Sequence, residues 1–305
     1  MGVAFLCPGQ GSQAPGAGQP WRGHLVWALV DEVAEASGVD VARLLCEADE
    51  SELVDTANAQ LATFTTSLLV AGALRSAGVV PLHTAGHSLG EYTALAIAGV
   101  IGVAEGARLV AARGAAMRSA AEANPGTMAA IIGLDADVVR TTCAAVGGDV
   151  WLANDNSPGQ CVIAGSAEGV AAAAEALRAA GSRAPMPLKV AGAFHTPYMA
   201  PAQAALDAAL ADVEFASSDV AVWANVDAAR HDDPAEWAGL LSAQLCSPVR
   251  WREQVAAMAA AGVDTVVEVG SGAVLTGMVK RIAPEVGRRT VSDPDGLEAL
   301  VAALA

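Results

Sequence analysis

A serine set between two glycines, in Gly86-His87-Ser88-Leu89-Gly90-Glu91, constrains this chain more than any other stretch. G-x-S-x-G is the spacing at which a strand can turn abruptly into a helix with a serine hydroxyl exposed at the tip. The flanking glycines remove the Cβ atoms that would clash inside so sharp a turn. Strand, turn and helix in immediate succession point to an α/β architecture. A serine hydroxyl is a weak nucleophile at neutral pH, so the same stretch also calls for a base and for donors that stabilise an oxyanion.

The surroundings supply the elements such a turn needs. Residues 3–7 read as a short buried strand, and Pro8-Gly9-Gln10-Gly11-Ser12-Gln13 as a tight loop at its end. A helix is expected over 61–77, a weak strand over 82–85, and helices over 89–99 and 103–122. In the last of these Leu109, Arg113 and Met117 share one face at i, i+4, i+8. The rhythm then changes. Strand 127–133, helix 136–146, strands 149–153 and 160–164 joined by a turn-rich Asp155-Asn156-Ser157-Pro158-Gly159, helix 167–180 and strand 183–190 follow in the β-α-β-β-α-β order of a split ferredoxin-like unit. At about 65 residues it is a plausible inserted subdomain. The expected division is a large subdomain over 1–124 and 191–305 and a small one over 125–190. Outside the insert, strands at 220–225 and 263–269 alternate with helices, which implies a mostly parallel, helix-covered sheet.

Composition excludes several classes. The chain has 305 residues, 53% hydrophobic and 16% charged, enough to fill a core. A formal net charge of −16 argues against a nucleic-acid surface. Cys7, Cys46, Cys143, Cys161 and Cys246 are widely spaced with no C-x-x-C pair, so neither a disulfide framework nor a metal site is expected. Residues 1–7 lack a basic leader, and no apolar run is long enough for a membrane. The expectation is a soluble cytoplasmic protein, monomeric, with no bound cofactor.

The base must come from five histidines. His87 adjoins the serine, but the turn points neighbouring side chains apart. His24 and His231 lie in polar, loop-like contexts, and His83 sits on the strand before the turn. His195, in Gly192-Ala193-Phe194-His195-Thr196-Pro197, lies where the insert returns to a helix. It is the candidate base, against a surface or capping role. Asp293-Pro294-Asp295-Gly296 reads as a surface turn rather than a histidine-orienting carboxylate. A backbone carbonyl could orient the ring instead.

Pro8-Gly9-Gln10-Gly11-Ser12-Gln13, Gly86 to Tyr92, Arg113-Gly114, Asn156-Ser157-Pro158-Gly159-Gln160, Gly192 to His195 and Glu268-Val269-Gly270 stand in one order and spacing. Together they resemble the malonyl-CoA:acyl carrier protein transacylases and the acyltransferase domains of polyketide synthases. The resemblance implies an α/β-hydrolase-like large subdomain carrying a ferredoxin-like insert. It also implies transfer of a malonyl group from coenzyme A to the phosphopantetheine thiol of an acyl carrier protein. Ser88 would carry the acyl group, His195 would move the proton, and the N–H groups of Gln10 and Leu89 would form the oxyanion hole. Arg113 would pair with the free malonyl carboxylate, which a planar guanidinium suits. Leu89 and Phe194 match the malonyl-type pair, and Phe194 would crowd an α-methyl branch. The family orients its histidine through a main-chain carbonyl, here expected at Arg250 in Ser247-Pro248-Val249-Arg250. An acidic carrier protein would need a local basic patch on so acidic a chain, with Lys189, Lys280, Arg281, Arg250 and Arg252 as candidates. The alternatives are a serine hydrolase of the esterase or patatin-like kind, and a transacylase for another carboxylated acyl-CoA.

Overall fold

The computed structural model describes residues 2–190 and 192–304, and it contains two sheets. The larger has six strands: β1 (Val3–Cys7), β2 (His83–Gly86), β7 (Ala221–Trp223), β8 (Arg230–His231), β9 (Thr265–Val269) and β10 (Gly287–Val291), in the order β10-β9-β1-β2-β7-β8. All its pairings are parallel except that of the edge strand β8 with β7. Alternation along β1 shows why it lies at the centre. Ala4 and Leu6 join a core with Trp251, Val255 and Met278 on one face, while Phe5 and Cys7 join the main core on the other. A parallel strand so covered by helices on both faces is apolar throughout.

The smaller sheet is antiparallel and uses β3 (Thr127–Ile132), β4 (Val150–Ser157), β5 (Gln160–Gly165) and β6 (Met186–Pro187), in the order β4-β5-β3-β6. That is the ferredoxin-like order. Helices Ala136–Val146 and Ala167–Ala179 cover one face, burying Ala129, Ile131, Leu152, Cys161 and Ile163. The residues between them, Met128, Ala153, Val162 and Ala164, turn the other way and join the core of the larger unit. All four strands lie within 125–190. The expected boundaries at Met1, Ala191 and Ala305 fall on residues outside those described.

Several expectations need correction. Strand 183–190 shrinks to Met186–Pro187, because Pro185 and Pro187 cannot donate to a ladder. The expected turn over 155–159 narrows to Pro158-Gly159, since β4 runs on to Ser157 through register shifts. Asp293 is not in a free surface turn. It caps the helix Pro294–Leu304 by accepting from the Gly296 N–H at 2.8 Å. Among the described residues no helix is long and apolar enough to cross a membrane.

Candidate active site

Strand β2 ends at Gly86, and the helix Gly90–Ala98 begins four residues later. A Cβ at Gly86 would lie 1.8 Å from the Gly90 carbonyl carbon, and one at Gly90 would lie 2.0 Å from the Cys7 carbonyl oxygen. Both glycines are therefore required by backbone crossing backbone. Between them Ser88 has φ 53°, in the left-handed region. Among the described non-glycine residues only Ser88, His195 (φ 61°) and Ala228 (φ 60°) have positive φ. Strain held at two adjacent reactive side chains is typical of a functional site.

His195 Nε2 lies 2.8 Å from Ser88 Oγ. Its Nδ1 lies 2.9 Å from the Gln244 carbonyl oxygen, which can only accept. Nδ1 therefore carries the hydrogen of the neutral ring, and Nε2 presents its lone pair to the serine hydroxyl. This corrects the expectation at Arg250, whose N–H instead donates to the Asn225 carbonyl at 3.0 Å. The reason is the end of the helix Trp237–Gln244. There the Gln244 oxygen takes only a long contact, 3.5 Å, from the Ser247 N–H, and its remaining lone pair can hold the ring. Burial, with the positive charge of Arg113 second, pushes the His195 pKa down to about 3 and keeps the imidazole neutral.

Arg113 comes from the helix Val103–Ala123 and is 1% exposed. Its Nη2 donates to Ser88 Oγ at 3.1 Å and to Gln244 Oε1 at 2.9 Å, and its Nη1 to Gln60 Oε1 at 2.9 Å. The Tyr92 ring lies 5.3 Å from the guanidinium carbon, and Nε has no partner among the described residues. A buried cation aimed at the nucleophile and held only by neutral acceptors is set to receive an anion. Leu109 and Met117 share its face, as their spacing predicts, and both are buried.

The backbone N–H groups of Gln10 and Leu89 make no hydrogen bond to another described residue. Gln10 lies on the loop after β1, and Leu89 starts the helix after the nucleophile. Both N–H groups are thus free to donate. Gln10, Ser88, Phe194 and His195 line a cavity of about 200 Å³, closed on the other side by Met128, Asn156 and Val162 of the smaller sheet. His87 lines the same cavity but makes no hydrogen bond to the Ser88 hydroxyl. Its Nε2 lies 2.9 Å from Asn156 Oδ1, and its ring packs edge-on against Trp251.

Sequence reasoning missed four buried side chains that hold this arrangement: Gln60, Glu91, Asn225 and Gln244, each 0% exposed. Asn225 accepts from the Ser88 N–H at 2.7 Å and donates to the Gly86 carbonyl at 2.7 Å, bracing both ends of the turn. Gln244 Nε2 donates to the Ser88 carbonyl at 2.9 Å. A lone Glu91 within the otherwise apolar helix Gly90–Ala98 was the available signal. Of the basic candidates, Arg250 pairs with Glu253 and Arg252 with Asp155. Lys280 and Arg281 lie on the helix Val274–Ile282, whose Leu275 and Met278 line the cavity.

Comparison with known proteins agrees with this architecture. Residues 4–292 match the family described as acyl transferase domain. The chain is 40% identical to the malonyl CoA-acyl carrier protein transacylase of Bacillus subtilis (strain 168), covering 99% of this chain and 97% of that protein. It is also 40% identical to the protein of that name from Escherichia coli (strain K12), covering 97% of each. Among solved structures, it superposes with a TM-score of 0.94 on an acyl-carrier-protein S-malonyltransferase from Burkholderia pseudomallei 1710b, 38% identical over 99% of this chain and 100% of the other. A malonyl-transacylase solved in complex with its type II PKS acyl-carrier protein gives the same TM-score at 36% identity, covering 99% of each chain. The fold and the match over most of its length thus define an acyltransferase. More narrowly, the chain belongs to the malonyl-CoA:acyl carrier protein transacylase family.

Proposed function

We propose that this protein moves a malonyl group from malonyl-CoA to the phosphopantetheine thiol of an acyl carrier protein, through an ester on Ser88. The observation that carries this reading is the buried Arg113 guanidinium, 3.1 Å from Ser88 Oγ. In the first half, His195 Nε2 takes the hydroxyl proton as Ser88 Oγ attacks the thioester carbon. The C–S bond then breaks, and the proton passes to the departing CoA sulfur. The Gln10 and Leu89 N–H groups receive the negative oxygen between these events. In the second half His195 takes the proton of the carrier thiol, whose sulfur displaces Ser88 Oγ, and the serine regains its proton.

Arg113 gives the selectivity. A malonyl carboxylate pairs with the guanidinium, whereas an acetyl group leaves the buried charge without an anion. Leu89 and Phe194 support malonyl over methylmalonyl, since Phe194 is buried against the cavity where a branch would sit. The reaction as written uses coenzyme A and carrier-protein thioesters as substrates and needs no resident cofactor. We infer a cytoplasmic monomer serving fatty acid or polyketide synthesis. The similarity to a transacylase solved with its carrier protein supports the choice of acceptor.

Intact-protein mass spectrometry after mixing with malonyl-, methylmalonyl- and acetyl-CoA tests the reading. The expected result is a malonyl adduct on the native protein, little acetyl adduct, and none on Ser88→Ala. Equal acetyl and malonyl yields would overturn the role of Arg113. Release of CoA without transfer to any carrier protein would turn the assignment toward a hydrolase.

A further inference from the structure

Glu91 is a buried carboxyl group that the acyl-transfer steps do not use. Its Oε2 accepts from the Asn225 N–H at 3.0 Å and from Gln244 Nε2 at 2.9 Å, while Oε1 has no partner among the described residues. The same Gln244 carboxamide accepts from Arg113 Nη2 at 2.9 Å through its other end. Arg113, Gln244 and Glu91 therefore form one hydrogen-bonded row, with a cation at one end and a carboxyl group at the other. Among the described residues no carboxylate lies within 4.0 Å of Arg113, so its charge is not balanced by a direct ion pair. A buried guanidinium facing only neutral acceptors is costly, and an amide polarised between opposite charges lowers that cost.

We propose that Glu91 is a positioning residue and the fixed counter-charge of Arg113, acting through the Gln244 carboxamide. Its carboxylate orients that carboxamide with the NH₂ group toward itself and the oxygen toward Arg113. A flip of Gln244 would set donor against donor at Arg113 and acceptor against acceptor at Glu91. The orientation has a further effect at the nucleophile, because the same carboxamide NH₂ donates to the Ser88 carbonyl, while the main-chain carbonyl of Gln244 holds His195 Nδ1. Asn225, the second partner of Glu91, accepts from the Ser88 N–H. One carboxylate thus sets the Ser88 turn and the Arg113 guanidinium in mutual register. Burial raises the Glu91 pKa to about 7, opposed by Gln244, Asn225 and the Arg113 charge, so the carboxylate form predominates above neutrality.

A double-mutant cycle in thermal stability at pH 8.5 tests this with Glu91→Gln, Arg113→Ala and the pair. Glutamine is near-isosteric and can keep its side-chain oxygen in the Oε2 position, so both hydrogen bonds survive while the charge is lost. Glu91→Gln is expected to lower Tm in the native background, where it strips Arg113 of its counter-charge. In the Arg113→Ala background it should be less damaging by about 2 °C or more, or stabilising, because there the buried carboxylate is the uncompensated group. Equal Tm losses in the two backgrounds, or a larger loss beside Arg113→Ala, would reduce Glu91 to a structural hydrogen-bond acceptor. The Arg113→Ala protein keeps Glu91 intact and must itself give a cooperative melt. Should it not, Arg113→Met, which fills more of the volume, runs the same cycle. The inference builds on the acyltransferase reading only in what is being positioned. The cycle is read without any acyl transfer, so its failure is separable from a failure of malonyl selectivity.

Discussion

Replacing Gly90 with alanine should disable the proposed oxyanion hole while leaving Ser88, His195 and Arg113 chemically intact. The new Cβ would stand 2.0 Å from the Cys7 carbonyl oxygen, 2.8 Å from the Cys7 carbonyl carbon and 2.9 Å from the Pro8 carbonyl oxygen. All three are backbone atoms, so no side-chain rotation relieves the contact. Reaching an ordinary separation requires the helix start and the end of β1 to part by roughly 1.5 Å. Leu89 lies on one side of that seam and Gln10 on the other, so their N–H groups separate by a similar distance. Losing one such donor costs about 10²–10³ in rate. Overpacking usually costs about 1–3 kcal/mol, and contact with three backbone atoms puts this substitution at the top of that range or above it, with a Tm lower by several degrees or more. The assay is single-turnover acylation of Ser88 by malonyl-CoA, followed by quenched-flow mass spectrometry, alongside a thermal melt. A folded Gly90→Ala protein that acylates within about threefold of the native rate would refute the link between that seam and the two donors.

Stability against pH isolates the neutral His195. Its folded-state pKa, about 3, lies below the ordinary value of 6.5, so between these values the unfolded chain takes a proton that the native site refuses. Native protein should therefore lose stability relative to His195→Gln as pH falls below 6.5, by up to about 1.4 kcal/mol per pH unit. Urea midpoints at several pH values between 7.5 and 4.5 would show this, and a constant gap between the two proteins would contradict it. At the junction of the sheets, Arg252 reaches Asp155 at 2.8 Å, with Asp155 only 2% exposed and Arg252 39% exposed. Arg252→Met should cost about 2 kcal/mol, less than a fully buried pair because the arginine end is partly solvated. Chemical denaturation checks this, and a change under about 0.5 kcal/mol would show that solvent already compensates Asp155.

The elements legible from sequence were those with a strong local cause. Paired glycines marked the Ser88 turn because backbones cross there, and the β-α-β-β-α-β rhythm marked the smaller sheet because one of its faces alternates against helices. Strand β10 was not read, because Gly287-Arg288-Arg289-Thr290-Val291 is a polar edge strand whose stability comes from β9 beside it. The site divided in the same way. Ser88, His195 and Arg113 carry chemistry visible in their residue types and in the family pattern. Gln60, Asn225 and Gln244 are uncharged amides from three separate segments, and their partners are set only by tertiary packing. The Arg250 expectation failed for a related reason. Which carbonyl holds a histidine depends on where a helix ends, and helix ends are poorly marked in Ser242-Ala243-Gln244-Leu245-Cys246.

The left-handed backbone at Ser88 and His195 sets a limit on how far this protein can be hardened. Each residue holds a conformation that costs about 1–3 kcal/mol and that glycine would adopt freely. At Ser88 the substitution that relaxes the chain also deletes the hydroxyl. At His195 it deletes the imidazole. Gains in thermal tolerance must therefore come from elsewhere, and Ala228, the third such residue, offers one place to look (its side chain takes no part in the chemistry). A search for heat-resistant variants scored on melting temperature alone would tend to erode the two positions on which the proposed acyl transfer rests.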